Sequence, residues 1–311
     1  MMLSFVIPCY NSHATLPGVI EDIDKAMRDK PEEEYEIVLV NDCSPDNTGE
    51  VIEGLCKEKK YITGVELVRN FGQHAALMAG FHYVKGDIVI CMDDDGQTPA
   101  DEVWKLIDQI KLGHDVAYAK YSEKHHSIFR NLGSKMNDIM ADMMLGKPKE
   151  LYVSSYFVIK RFLVDEMIKY SNPYPYVIGL VLRSTKDIVN VEITHHERAV
   201  GTSGYTIGKL FGLWMNGFTA FSVKPLRIAT CCGAIMAMVG FVYGIITVIR
   251  KLLGLNYILG YSGIIITLTI IGGILLLMMG IIGEYIGRIY ISLNNSPQYI
   301  VRNVIGGKDG E

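Results

Sequence analysis

Asp87-Ile88-Val89-Ile90-Cys91-Met92-Asp93-Asp94-Asp95-Gly96-Gln97 is an apolar run that stops in three carboxylates and a glycine. The first half reads as a β-strand and the second as a turn. Working outward, short β-branched and apolar runs predict further strands at Leu3–Ile7, Glu36–Val40, Thr63–Leu67 and Val116–Ala119, with Ile88–Met92 among them. Helical periodicity fills the gaps near Thr15–Asp29, Thr48–Lys59, His74–Val84 and Glu102–Lys111. Such alternation builds an α/β domain with a mostly parallel sheet, whose ligands bind beyond the C-terminal strand ends.

That rule directs attention to three polar junctions: Pro8-Cys9-Tyr10-Asn11, Asn41-Asp42-Cys43-Ser44 and Asp93-Asp94-Asp95-Gly96-Gln97. Residues two apart in extended chain share a side, so Asp93 and Asp95 are expected to meet one cation, with Gln97 a further oxygen donor. A hard ion such as Mg2+ or Mn2+ takes oxygen ligands and is commonly held by one or two carboxylates plus substrate phosphates. The plain alternative is an acidic turn that water solvates. Asp42 is a candidate for bonding a base or ribose, above a wall shaped by Pro8 and Tyr10. Its plain alternative is turn chemistry, since Ser44-Pro45-Asp46-Asn47-Thr48 suits a loop ending in a helix cap.

Arg198, in a glycine-containing segment, and Arg130 are candidates for paired donation to phosphate. Default surface roles compete with both. The pairs His125-His126 and His195-His196 are unsuited to a shared metal because adjacent side chains rarely converge. His74 is expected to cap or pack a helix start, Trp104 to sit in the core and Trp214 at an interface.

Net charge is −4, from 30 basic and 34 acidic residues, which argues against a nucleic-acid partner. Residues 228–249 and 252–283 contain no Asp, Glu, Lys or Arg, and each run exceeds the ~20 residues a membrane-crossing helix needs. The expected organisation is a catalytic domain at 1–206, an interfacial segment at 207–226, two spans within 227–283 (about 228–249 and 262–283) and a tail at 284–311. The glycines Gly272, Gly273 and Gly280 offer faces for homo-oligomer packing. Basic residues outside the hairpin, and no export signal, put the soluble domain and the tail in the cytosol. The six cysteines contain no CxxC pair and are expected to form neither disulfides nor a zinc site.

Four motifs in order carry a resemblance: Val6-Ile7-Pro8-Cys9-Tyr10-Asn11, Val40-Asn41-Asp42-Cys43-Ser44, Arg69-Asn70-Phe71-Gly72-Gln73-His74-Ala75-Ala76, and Asp93-Asp94-Asp95-Gly96-Gln97-Thr98-Pro99. Together with Lys224-Pro225-Leu226-Arg227 and Gly283-Glu284-Tyr285-Ile286-Gly287-Arg288, they resemble the bacterial polyprenyl-phosphate glycosyltransferases of glycosyltransferase family 2, a GT-A-fold group that includes dolichol-phosphate mannose synthases. The resemblance implies inverting transfer of a sugar from a nucleotide sugar, with uridine the expected base, to undecaprenyl phosphate at the bacterial plasma membrane, for cell-envelope glycans. Pro8, Tyr10, Asp42, Asp93 and Asp94 would hold the donor, Asp93, Asp95 and Gln97 the metal, and Arg198, Arg130, Ser203 and Tyr205 the phosphates. Asp95 and Arg198 would be the catalytic pair. The chain departs from the pattern at Ser12-His13, at Asn41 and at Gly204. Gln73-His74 is similar to the subgroup using an aminoarabinose donor. The competing readings are a sensor or flippase scaffold without turnover, and a processive synthase, whose Gln-x-x-Arg-Trp motif is absent.

Overall fold

A computed structural model describes residues 1–121, 150–194, 261–294 and 296–307, with isolated positions between 231 and 253. The chain divides into two units, Met1–Leu210 with Asn295–Glu311, and Phe211–Asn294.

The first unit is built on an eight-stranded sheet. In chain order its strands are β1 (Met2–Cys9), β2 (Glu34–Asn41), β3 (Ile62–Leu67), β4 (Ile88–Cys91), β5 (Val116–Tyr121), β6 (Phe157–Lys160), β7 (Ile188–Ile193) and β8 (Val301–Gly306). Helices α1 (Leu16–Arg28), α2 (Thr48–Glu58), α3 (Gln73–Phe81) and α4 (Val103–Lys111) connect the first five strands, and α5 (Arg161–Met167) and α6 (Val177–Ser184) lie between β6 and β7.

Across the sheet the order is β7-β5-β6-β4-β1-β2-β3-β8. The pairs β1/β2, β2/β3, β1/β4 and β5/β7 are parallel, while β6 and β8 run antiparallel to their neighbours. From β1 the chain winds outward through β2 and β3, then returns to add β4 on the other side of β1. The C-terminal ends of β1 and β4 therefore flank a topological switch point, where such sheets leave a crevice.

Side-chain alternation explains the layers. Leu3, Phe5 and Ile7 join Ile20 and Ile23 of α1 and Leu106 and Ile107 of α4 in one buried cluster. Each such large apolar side chain contributes roughly 1.5–3 kcal/mol when fully buried. On the opposite face α3 comes unusually close. A Cβ added at Gly80 would lie 2.6 Å from Val6 Cγ1 and 3.0 Å from Val40 Cγ2, so only glycine permits this approach. Trp104 packs against the core as expected and donates its Nε1–H to the Ala26 carbonyl at 3.1 Å.

In the second unit, α7 (Tyr261–Leu293) is a 33-residue helix. Its stretch Ile271–Ile291 is long and apolar enough to cross a membrane. The expected second span, 262–283, lies within it, but the helix runs on to Leu293. The isolated positions described between 231 and 249 are helical. A Cβ at Gly233 would lie 3.4 Å from Met278 Cε, so this glycine lies beside α7.

The segment 284–311, expected as a tail, contains the end of α7 and all of β8. Strand β8 pairs with β3, Val65 opposite Val304 and Glu66 opposite Asn303. Arg302 Nη1 also lies 3.2 Å from Glu66 Oε1. The chain after α7 is thus sheet, because the edge of β3 offers unpaired backbone groups that another strand satisfies.

Candidate active site

Strand β4 ends at Cys91, and the chain bends through Asp94, Asp95 and Gly96, the last at φ 73°. The two-residue alternation that was expected to put Asp93 and Asp95 on one side therefore does not reach them. The Asp95 charge nevertheless bears on Asp93.

Asp93 points at two partners. Gln73 Nε2, in the first residue of α3, donates to Oδ1 at 2.8 Å, and Ser155 Oγ donates to Oδ2. Burial pushes the Asp93 carboxyl up to about 6, and the neighbouring charges of Asp95 and Asp94 add to the rise, against the pull of the Ser155 and Gln73 hydrogen bonds. Asp94 turns the other way, across the switch point. Its Oδ2 accepts the Tyr10 N–H at 2.9 Å, and its carbonyl accepts Thr15 Oγ–H at 2.6 Å. Burial raises Asp94 too, and the Tyr10 N–H opposes this. Asp95 Oδ1 accepts the Gln97 N–H at 3.0 Å, closing the turn.

The loops after β1 and β2 interlock beside this turn. Asn11 (φ 57°) and Cys43 (φ 54°) both adopt left-handed backbone, a conformation costing a non-glycine residue on the order of 1–3 kcal/mol. Ser44 Oγ accepts the Asn11 N–H at 3.2 Å, and Thr48 Oγ1 accepts the Ser12 N–H at 2.9 Å. His13 Nδ1 lies 2.6 Å from Asp46 Oδ2. Against burial, which raises it, hydrogen bonds from Thr48 and His13 hold Asp46 down at about 2. Pro8 lies within β1 opposite Val40, and Tyr10 exposes its ring at the rim.

Asp42 faces the loop after β3. Its Oδ1 accepts the Phe71 N–H at 2.7 Å and its Oδ2 the Gly72 N–H at 2.8 Å. His74 is the second residue of α3 and packs edge-on against Tyr176, ring centroids 5.0 Å apart, with Nδ1 buried and without a hydrogen-bond partner. Burial lowers its pKa to about 4.

The structure thus gathers Tyr10, Asp42, Asp93, Asp94, Asp95 and Gln97 around the ends of β1, β2 and β4, and joins to them Gln73, Thr15 and Ser155. Ser155 had no sequence signal: it is a small polar residue 62 positions from Asp93, brought in by β6. Arg130, Arg198, Ser203 and Tyr205 lie outside the described residues.

The donor set suits a hard cation in part. No group of three or more His, Cys, Asp or Glu side chains forms a protein-only cage among the described residues. Carboxylates on successive residues of a bend suit instead a cation that takes its remaining oxygen ligands from a phosphate.

Residues 4–168 match the sequence model of "Glycosyl transferase family 2", and residues 224–289 that of the "GtrB C-terminal hairpin". The chain belongs to glycosyl transferase family 2. As a glycosyltransferase it is 31% identical, over 98% of its own length and 94% of the relative's, to undecaprenyl-phosphate 4-deoxy-4-formamido-L-arabinose transferase of Proteus mirabilis. It is 33% identical to the protein of that name from Pectobacterium carotovorum, covering 97% and 93% of the two chains. In fold it is similar to glucosyl-3-phosphoglycerate synthase of Mycobacterium tuberculosis, crystallised with Mn2+ and uridine-diphosphate-glucose, at a TM-score of 0.52, 16% identity and coverage of 69% and 75%. The α/β domain of this glycosyltransferase is GT-A-like, with a mixed, mostly parallel sheet.

Proposed function

We propose that this glycosyltransferase moves a sugar from a nucleotide sugar to undecaprenyl phosphate at the cytosolic face of the bacterial plasma membrane, with inversion at the anomeric carbon. The observation carrying this reading is the turn Asp93–Asp95 at the switch point between β1 and β4, in a chain aligned nearly end to end with transferases named for that lipid. Uridine is the proposed base, and 4-deoxy-4-formamido-L-arabinose, the sugar in the relatives' name, heads the candidates.

The donor lies in the crevice over Pro8 and Tyr10, with its diphosphate towards Asp95. An acceptor phosphate oxygen attacks the anomeric carbon in line, the bond from that carbon to the diphosphate breaks, and the nucleoside diphosphate leaves. No side chain needs to remove a proton, because a phosphate monoester with a second pKa of about 6 is already largely ionised near neutral pH. Asp93, Asp95 and Gln97 are the proposed holders of Mg2+ or Mn2+, which would offset the negative charge developing on the leaving diphosphate. Arg198, Arg130, Ser203 and Tyr205 are proposed to align the phosphates, and α7 with the segment before it to span the membrane.

The test is transfer of radiolabel from a panel of nucleotide sugars into organic-extractable lipid, using purified protein, undecaprenyl phosphate, Mg2+ or Mn2+, and a chelator control. Chelator-sensitive labelling that Asp95→Asn nearly abolishes, with an unchanged thermal melt, is the expected result. Binding of nucleotide sugar without transfer across the panel would overturn the proposal.

A further inference from the structure

Ser155 sits on a stretch of chain that is held at both ends. Residues 151–156 form neither helix nor strand and lead into β6. At one end the side chain of Asn190, on β7, takes both backbone groups of Tyr152. Its Oδ1 accepts the Tyr152 N–H at 2.8 Å and its Nδ2 donates to the Tyr152 carbonyl at 2.6 Å. At the other end Ser155 Oγ donates to Asp93 Oδ2, just past the end of β4.

The register of the sheet shows how little slack lies between those ends. One row runs from Asn190 on β7 through Tyr118 and Phe157 to Cys91 on β4. Three strand spacings of about 4.8 Å make that row roughly 14 Å wide. The three steps of chain from Tyr152 to Ser155 cover at most about 11 Å. The side chains of Asn190, Ser155 and Asp93 must supply the rest, so the stretch crosses the sheet nearly taut. An asparagine suits the anchored end, because its amide carries the donor and acceptor of a peptide group and pairs with Tyr152 as a neighbouring strand would. Burial raises the Asp93 carboxyl, and the Ser155 hydrogen bond is the strongest influence against that rise, ahead of Gln73.

We propose that Asn190 is a positioning residue for sugar transfer: by clamping Tyr152 it keeps the stretch to Ser155 taut, and Ser155 in turn holds the Asp93 carboxylate in the orientation the donor requires. The inference rests on the reading that the donor binds at the Asp93–Asp95 turn. A misplacement of about 1 Å in a reacting assembly costs up to roughly a hundredfold in rate, so releasing the clamp lowers kcat more than it weakens nucleotide affinity.

The experiment is a double-mutant cycle of Asn190→Ala and Ser155→Ala on the full chain in detergent or nanodiscs. It reads kcat and donor KM, the Kd of uridine diphosphate by calorimetry, and backbone amide exchange over residues 151–156. The expected result is a fall of about tenfold in kcat for Asn190→Ala, and a double variant no worse than the poorer single one. Uridine diphosphate Kd stays within about twofold throughout, and Ser155→Thr, which keeps the hydroxyl, retains the kcat that Ser155→Ala loses. In Asn190→Ala, exchange over residues 151–156 is faster by roughly tenfold, the loss expected from two hydrogen bonds. Should that variant fail to fold, Asn190→Asp takes its place in the cycle, since it keeps the acceptor for the Tyr152 N–H and loses only the donor to the carbonyl.

Losses in kcat that multiply in the double variant would overturn the proposal, because they would mean that Asn190 does not act through Ser155. So would unchanged exchange over residues 151–156 in the Asn190 variant. If the wild-type protein transfers no sugar, the proposed function falls instead. The clamp is then judged by exchange alone, where faster exchange supports it and unchanged exchange overturns it.

Discussion

Asp94 ties the turn after β4 to the loop after β1, and its replacement allows a quantitative prediction. The Oδ2 atom accepts the Tyr10 N–H at 2.9 Å. A hydrogen bond to a charged group contributes about 1.5–3 kcal/mol, and a neutral acceptor retains roughly half of that. Asp94→Asn keeps an acceptor oxygen and loses on the order of 1 kcal/mol, about fivefold in kcat/KM for the donor. Asp94→Ala loses the whole contact and leaves the Tyr10 N–H to find water, a cost of roughly 10- to 150-fold. Both figures are upper limits, reached only if an ordered Tyr10 loop is needed throughout the reaction. The assay is initial-rate kinetics with varied nucleotide sugar at saturating lipid acceptor, and a thermal melt of each variant to confirm folding. An Asn variant as damaged as the Ala variant would refute the hydrogen-bond account, because the two differ in the acceptor. Wild-type kinetics for both would show that the link does not bear on donor binding.

Two further outcomes concern stability. Gly80→Ala forces a methyl group within 2.6 Å of Val6 Cγ1 and 3.0 Å of Val40 Cγ2, and should destabilise the first unit by about 1–3 kcal/mol, the usual cost of overpacking. An unchanged denaturation midpoint would show that α3 shifts freely. His74 has a folded pKa of about 4, lowered by burial, against about 6.5 in the unfolded chain, so the unfolded state binds the proton more readily between those values. His74 thus costs no stability above about pH 6.5, and the fold loses at most about 1.4 kcal/mol per pH unit as pH falls towards 4. Melting curves of wild type and His74→Phe, compared from pH 8 to pH 4.5, should diverge on the acid side. Parallel curves would remove the assignment.

The first half of the fold was legible because each β–α step there is local. The expected strand Thr63–Leu67 and helix Thr48–Lys59 lie within a residue or so of β3 and α2. By contrast, β6 has four residues and β8 has the weakly patterned Val-Arg-Asn-Val-Ile-Gly. Neither has enough period to announce itself, and both exist as strands because an edge or a gap in the sheet accepts them. The site divides the same way. Asp93–Asp95 could be picked out as the polar end of an apolar run, but the direction of each carboxylate could not, since β4 ends at Cys91 and the bend through Asp94, Asp95 and Gly96 breaks the alternation that would have set it.

The sequence by itself determined the alternation that makes a parallel α/β sheet, the acidic turn after a central strand and the apolar length of the second unit, because each is a periodicity or composition within a short stretch of chain. Only the tertiary structure decided that Asp42 is bonded to the Phe71 and Gly72 backbone, that Gln73 and Ser155 hold Asp93 from both sides, and that the chain after α7 closes the sheet beside β3. Those contacts join residues tens to hundreds of positions apart. They follow from burial, which leaves each carboxylate or strand edge to seek whichever donors the packing of the whole sheet brings within reach.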